Sequence, residues 1–286
     1  MLIHIIRHAD PDYVNDTITP RGHREAEALA ERLGRERLDR IYSSPMGRAI
    51  ATVSYTEKVT GLSATVLPWT SELSMAPVEV IGEEPRVVWN VPGQIVRGGP
   101  SLPTHADWDQ LPELSHYAYR GRQEELTVAS DAFLASEGYR RRGHVYESNA
   151  PERSIAIFCH AGFAMSWLAH LLGLPPTLVW TGFFLAPSSV TTVLMERRGS
   201  RIAVPRALTV GDTSHIYARG LTPNHRGVLA DDFNQAGPAQ PVTAFSGDYA
   251  EHASNGMIAR DEKTALETSG GLRASPLGYS RRTDEG

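Results

Sequence analysis

In residues 2–11, LIHIIRHADP, an apolar run of strand type stops abruptly at Arg7, His8, Ala9, Asp10 and Pro11. The next segment has helical period: in PRGHREAEALAERL (20–33), Ala26, Leu29, Ala30 and Leu33 fall at i, i+3, i+4 and i+7. Thr19 is placed to cap this helix, with Pro20 at its first position. LDRIYSS (38–44) reads as a second strand. Pro45 then opens a second helix through about Val59, with Ser44 as its cap, and Ala64–Leu67 is a third strand. Strand, helix, strand, helix, strand at this spacing predicts an α/β domain with a parallel sheet.

The pattern breaks over residues 74–122. Pro77, Pro85, Pro92, Pro100, Pro103 and Pro112 exclude long elements, while Trp89, Trp108, Tyr117 and Tyr119 argue for packing. This segment reads as an insertion capping the carboxyl end of the sheet, and its aromatics lean towards a larger or partly apolar substrate. Helical period returns over 123–137, and Arg140, Arg141 and Arg142 read as a solvated loop. Ile155–Cys159 is a buried strand and Phe163–Leu172 a helix. Val190–Glu196 and Ile202–Leu208 are two strands joined at Arg198–Gly199–Ser200. The expected organisation is one catalytic domain over 1–217, interrupted by 74–122. An irregular extension, 218–286, is expected to pack on the domain or on a partner subunit of a homodimer, with its last residues partly disordered.

The 286 residues carry 28 Lys and Arg against 33 Asp and Glu, a net charge of -5. That balance disfavours bulk nucleic-acid binding but permits a small cationic pocket. One cysteine, Cys159, excludes an internal disulfide and a multi-cysteine zinc site. His4 and His8, four apart on a strand, sit about 13 Å from each other, too far to share an ion. No metal and no cofactor is expected. Ile155–Leu174 lacks acidic and basic residues, but His160, Gly162, Ser166 and His170 interrupt it, so a buried strand and helix are preferred to a membrane span. Residues 1–10 lack the features of a signal peptide, and a cytoplasmic location is expected.

Arg7–His8 and His160 each follow an apolar strand, and Arg48 lies in the first turns of a helix. In open parallel sheets reactive groups gather at the carboxyl ends of strands, beside helix N-termini. Two arginines and two histidines at such ends make a pocket for an anion, and a phosphoryl group suits guanidinium forks. A neutral histidine can also attack phosphorus.

These motifs resemble those of the histidine phosphatase superfamily, in the branch of cofactor-dependent phosphoglycerate mutases and related phosphatases. Arg7–His8–Ala9 is similar to its Arg-His-Gly. Ser44, Pro45, Arg48, Ala49 and Thr52 match its Ser-Pro-x-x-Arg-Ala-x-x-Thr, and Cys159–His160–Ala161–Gly162 looks like its Ser-His-Gly-Gly. Ile18–Thr19–Pro20–Arg21–Gly22 with Glu25–Ala26 resembles its helix start, and Gly211–His215 a closing segment. The resemblance spans about 1–73 and 123–217, with alanine for glycine at 9 and 161.

It implies a three-layer α/β sandwich with a mostly parallel central sheet, the insertion serving as cap. It implies His8 as nucleophile, Arg7, Arg48 and His160 as holders of the phosphoryl group, and a carboxylic acid after the third strand. Glu72 is the best match for that acid, with Glu79, Glu83 and Glu84 in reserve. Asn15, off the mutases' spacing, Thr19 and His215 are further substrate-binding candidates. The expected activity is phosphomonoester hydrolysis on a small phosphorylated molecule through a phosphohistidine, in a biosynthetic setting, without nucleic-acid or membrane partners. The alternatives are a phosphoglycerate-type mutase and a non-catalytic phosphate-ligand-binding protein of the same fold.

Overall fold

Alternation within the apolar strands sets the layers. The computed structural model describes residues 1–80, 84–225 and 227–228. In β1 (Leu2–Arg7), Ile3 and Ile5 face one core while Ile6 faces another, as the two-residue period of a strand requires. After the short hairpin β2 (Pro11–Asp12) and β3 (Thr17–Ile18) come α1 (Pro20–Arg35), β4 (Arg40–Ser43), α2 (Gly47–Thr60) and β5 (Ala64–Val66). The segment 74–122 holds α3 (Gly93–Arg97) and a single turn of 3-10 helix, Val88–Asn90. The chain continues with α4 (Tyr119–Ser136), β6 (Tyr139–Arg142), β7 (Val145–Ser148), β8 (Ser154–Cys159), α5 (Ala161–Leu172) and α6 (Pro176–Trp180). It then forms β9 (Val190–Arg197), β10 (Ile202–Asp212) and α7 (Ser214–Ala218).

The central sheet has the order β5-β4-β8-β1-β9-β10-β7-β6. β5, β4, β8 and β1 are mutually parallel, and the other four strands pair antiparallel, so six of the eight run in one direction. Leu29 and Leu33 of α1 and Val53 of α2 cover one face with Ile6, Ala156 and Phe158. Leu126, Phe133 and Leu134 of α4 and Phe163, Trp167 and Leu168 of α5 cover the other with Ile3, Ile5, Ile155 and Ile157. The result is the three-layer α/β sandwich with a mostly parallel sheet. Buried indoles in the second layer find partners: Trp167 Nε1–H donates to Ser130 Oγ at 2.7 Å and Trp180 Nε1–H to Ser166 Oγ at 2.8 Å.

Several local expectations change. Helix α2 begins at Gly47, not Pro45, and Ser44 does not cap it, because the Ser44 hydroxyl bonds His160 Nε2 at 2.7 Å. Helix α4 begins at Tyr119 rather than 123, since that ring packs edge-on against Trp180 and its hydroxyl donates to the Ala76 carbonyl at 2.8 Å. Arg140–Arg142 is a strand, not a solvated loop: it pairs with β7, and Arg141 lies 5.5 Å over the Tyr146 ring. Ile155–Leu174 divides into β8 and the twelve-residue α5, and no helix among the described residues is long and apolar enough to cross a membrane. Within 74–122, Val78, Val88, Val91, Val96, Trp108 and Leu114 are buried in the larger core. Met1–Gln235 forms one unit. Most of the extension 218–286 lies outside the described residues.

Thr19 shows how the first βα connection is held. Its hydroxyl accepts the Gly22 N–H at 3.1 Å as the N-cap of α1 and donates to Asp10 Oδ2 at 2.6 Å. Thr19→Ala is expected to cost about 1–2 kcal/mol of unfolding free energy in urea titration, and Thr19→Ser to restore most of it.

Candidate active site

Register brings the two histidines together. β1 and β8 run parallel with Arg7 opposite Cys159, so the next residues, His8 and His160, emerge side by side at the carboxyl ends. Their ring centroids are 5.1 Å apart, with planes inclined by 57°. Ser44 follows β4 on the other side of β8, which puts its hydroxyl on His160.

Both rings are buried and held neutral. His8 Nδ1 lies 2.8 Å from the carbonyl oxygen of Ala9, which can only accept, so Nδ1 carries the proton and Nε2 the lone pair. Burial, then the Arg7 charge and His160, hold the His8 pKa well below the usual imidazole value. Burial and Arg48 push that of His160 down to about 3. Burial raises the thiol of Cys159, whose side chain packs in the α4–α5 core with Ile155 and Ile157, so it is no partner for His160. The methyl group of Ala9, in place of the expected glycine, is fully buried against Ile18 and Ala26.

Each guanidinium group has a short anchor, and Tyr13 adjoins both. Arg7 donates from Nη1 to the Leu185 carbonyl at 2.6 Å. Arg48 donates from Nη1 to Asp16 Oδ1 at 2.6 Å, while Asp16 Oδ2 accepts the Gly47 N–H at 2.7 Å. Asp16 reaches this position with a left-handed backbone, φ 46°, a conformation asparagine and aspartate tolerate better than other side chains. The Nε atoms of both arginines and Nδ1 of His160 are buried without any hydrogen-bond partner. An orphaned buried donor costs about 1–3 kcal/mol, more when charged. Two guanidinium groups lining one cavity suit an oxyanion.

Glu72 caps α5. Its Oε1 accepts the N–H groups of Phe163 at 2.8 Å and Leu73 at 3.0 Å, and its Oε2 that of Gly162 at 3.2 Å. Burial nevertheless raises its pKa, outweighing those three bonds and the pull of Arg7. Oε2, with one long bond, has room for a proton.

A cavity of about 400 Å³ opens here, lined by Arg7, His8, Arg48 and Glu72. Val87, Trp89 and Asn90 reach it from the 74–122 segment, and Phe183, Phe184 and Leu185 from the α6–β9 loop. Gly227 lines it as well, so the described part of the C-terminal extension reaches the site. His160 stands behind His8, fully buried.

Other expected residues lie elsewhere. Asn15 is exposed, its amide donating to Asp12 Oδ2 at 2.7 Å, and it does not line the cavity. Thr19 is occupied as a helix cap. His215 packs against α1, with Nδ1 3.4 Å from Arg32 and Nε2 3.3 Å from Ser188, and burial together with Arg32 pushes its pKa to about 4. It acts at one remove, since the Ser188 N–H donates to the carbonyl of His8 at 3.0 Å. Glu79 and Glu84 are exposed, and Glu83 lies outside the described residues. Trp108 packs edge-on against Trp180 instead of facing the cavity. Tyr13, Asp16, Phe183 and Phe184 were not legible as site residues; no motif marks them, and only the hairpin and loop geometry brings them in. Among the described residues no group of three or more His, Cys, Asp or Glu side chains could hold a metal ion.

The arrangement can bind a tetrahedral oxyanion, present it to a neutral imidazole nitrogen and offer a proton from a carboxyl group. Inorganic phosphate is therefore expected to raise the thermal midpoint. At one hundred times its Kd the stabilisation is about 2.7 kcal/mol. Arg48→Ala should remove most of that gain, as read by scanning calorimetry with and without phosphate.

Residues 3–88 match the model of the histidine phosphatase superfamily (branch 1). No curated protein matches the chain by sequence. Among solved structures, the chain is similar to a mycobacterial glucosyl-3-phosphoglycerate phosphatase, with 20% identity over 74% of this chain and 99% of that one, at a TM-score of 0.48. It is similar to the phosphoserine phosphatase of Entamoeba histolytica, with 17% identity over 75% and 98%, at 0.47. It is also similar to the alpha-ribazole phosphatase of Shigella flexneri, with 16% identity over 74% and 96%, at 0.48. The stretch that matches this family model, residues 3–88, is the one that carries Arg7, His8, Arg48 and Glu72.

Proposed function

We propose that this protein hydrolyses phosphate monoesters of small molecules through a phosphohistidine on Nε2 of His8. The observation that carries the reading is the bond from His8 Nδ1–H to the Ala9 carbonyl. It leaves the Nε2 lone pair as the free face of a neutral ring, in a cavity shared with two buried guanidinium groups and a carboxyl group.

In the first step the Nε2 lone pair forms a bond to phosphorus as the phosphorus–oxygen ester bond breaks. Glu72 gives its proton to the departing oxygen, and the alcohol leaves neutral. Arg7 and Arg48, which line the cavity, stabilise charge on the equatorial oxygens, with His160 behind His8. In the second step water attacks phosphorus and the Glu72 carboxylate takes its proton. The phosphorus–nitrogen bond then breaks, releasing phosphate and restoring neutral His8 and protonated Glu72.

The pH dependence comes from the direction of each shift. His8 is lowered, so the nucleophile stays neutral below the usual imidazole range and is lost only in more acidic solution. Glu72 is raised, so the acid survives above the usual carboxylate range and is lost as pH climbs through its elevated pKa. With an alkyl phosphate, kcat/KM is expected to fall on that basic side. With 4-nitrophenyl phosphate, whose leaving group needs no proton, this limb should be absent.

Acid-labile, alkali-stable labelling from a radiolabelled phosphate ester should appear in the wild type and vanish in His8→Ala. Glu72→Gln should lower kcat for an alkyl phosphate by about 10²–10⁴-fold and far less for 4-nitrophenyl phosphate. Equal losses for both esters would remove Glu72 from the acid's role. Tight phosphate binding without labelling or turnover would instead favour a non-catalytic binding protein.

A further inference from the structure

Beyond the phosphoryl site, the cavity wall is apolar. Val87 and Trp89 contribute from the 74–122 segment, Met165 from α5, and Phe183, Phe184 and Leu185 from the α6–β9 loop. Phe183 and Phe184 are each 37% exposed. Among the described residues lining the cavity the cations are Arg7 and Arg48, both at the phosphoryl end, and Asn90 is the neutral amide. A carboxylate or second phosphate on the substrate would lose its hydration against these rings without gaining a cationic partner among the described residues that line this part of the cavity, which is unfavourable.

Trp89 is placed where the leaving group must emerge. A Cβ on Gly162 would lie 2.6 Å from two atoms of the Trp89 ring, so the indole rests directly on the glycine backbone. The N–H of that same glycine binds Glu72 Oε2, the oxygen with room for the transferred proton. An alcohol oxygen taking a proton from Glu72 therefore leaves beside the indole. The 400 Å³ of the whole cavity, phosphoryl site included, is near the lower end for small-ligand pockets, about 300–1,000 Å³.

We propose that the substrate's alcohol portion is an uncharged, predominantly apolar group of about single-ring size, an aryl or compact alkyl alcohol, held by Trp89 with Phe183 and Phe184. This rests on the phosphomonoesterase reading and narrows it. It disfavours phosphorylated glycerates and other substrates with a second anionic group, and with them mutase action.

Phosphonates, whose carbon–phosphorus bond is not hydrolysed, test ligand class apart from turnover. Isothermal calorimetry would compare methylphosphonate, benzylphosphonate and phosphonoacetate. Benzylphosphonate is expected to bind at least about ten-fold tighter than methylphosphonate, and phosphonoacetate no tighter than methylphosphonate. Trp89→Ala should reduce the benzyl advantage to under about three-fold. Phe183→Ala, at a partly exposed position where folding is not at stake, should also reduce it. The kcat/KM for phenyl phosphate should exceed that for 3-phosphoglycerate by at least about ten-fold. A preference for phosphonoacetate, or a benzyl advantage that survives both substitutions, would overturn the proposal. Tight benzylphosphonate binding without turnover of any ester would leave the ligand class standing and defeat the hydrolytic reading. Failure of all three phosphonates to bind would defeat both.

Discussion

Two guanidinium groups are buried at the rim of one cavity, and the cost of keeping them there shapes everything nearby. Arg7 is anchored on the Leu185 carbonyl and Arg48 on the Asp16 carboxylate, and each leaves Nε without a partner. Breaking a buried charge pair typically costs about 3–5 kcal/mol, so positions that supply partial compensation are constrained. Asp16 accepts a left-handed backbone to reach Arg48. Glu72 lies near Arg7, and both histidines remain neutral because burial, and then the neighbouring guanidinium charges, disfavour the imidazolium. An oxyanion in the cavity would offset the charge of the two guanidinium groups.

The same constraint explains why hydrogen-bonding groups at the site do two things. Glu72 satisfies two N–H groups at the start of α5, where a helix would otherwise leave them open, and stays poised to lose or gain a proton. Ser44 gives up the helix-capping role to hold His160. Thr52 takes the Ala9 N–H at 3.0 Å and donates to the Arg48 carbonyl at 2.7 Å, tying the loop after His8 to the helix that carries Arg48. The His8 carbonyl is held by the Ser188 N–H, and the Ser188 hydroxyl lies 3.3 Å from His215 Nε2. His215 thus supports the backbone of His8 without lining the cavity.

The parallel half of the sheet and the convergence of Arg7, His8, Arg48 and His160 were legible because each depends on short-range pattern. Apolar runs of period two end in charged residues, and right-handed crossovers leave those ends on one side. Glu72 was singled out only through the family resemblance, and its bonds to Gly162 and Phe163 were not legible, since they join residues about ninety positions apart. Asn15 drew attention as a polar residue in the right loop, yet the turn at Asp12 captures it and Asp16 takes the inward position. Arg140–Arg142 looked like loop because charge masks an edge strand, where every second side chain faces water. Trp89 and Trp108 were indistinguishable in sequence. Only the steric fit of one indole on Gly162 and the edge-on packing of the other against Trp180 separate them.

A crystal structure with orthovanadate is the most direct test of the central claim, that His8 Nε2 is the atom that takes the phosphoryl group. Vanadium is expected at bonding distance from that nitrogen with five-coordinate geometry, its equatorial oxygens on the guanidinium groups of Arg7 and Arg48, and an apical oxygen facing Glu72. Vanadate bound away from His8, or bound to it only through Nδ1 with the Ala9 contact broken, would contradict the account.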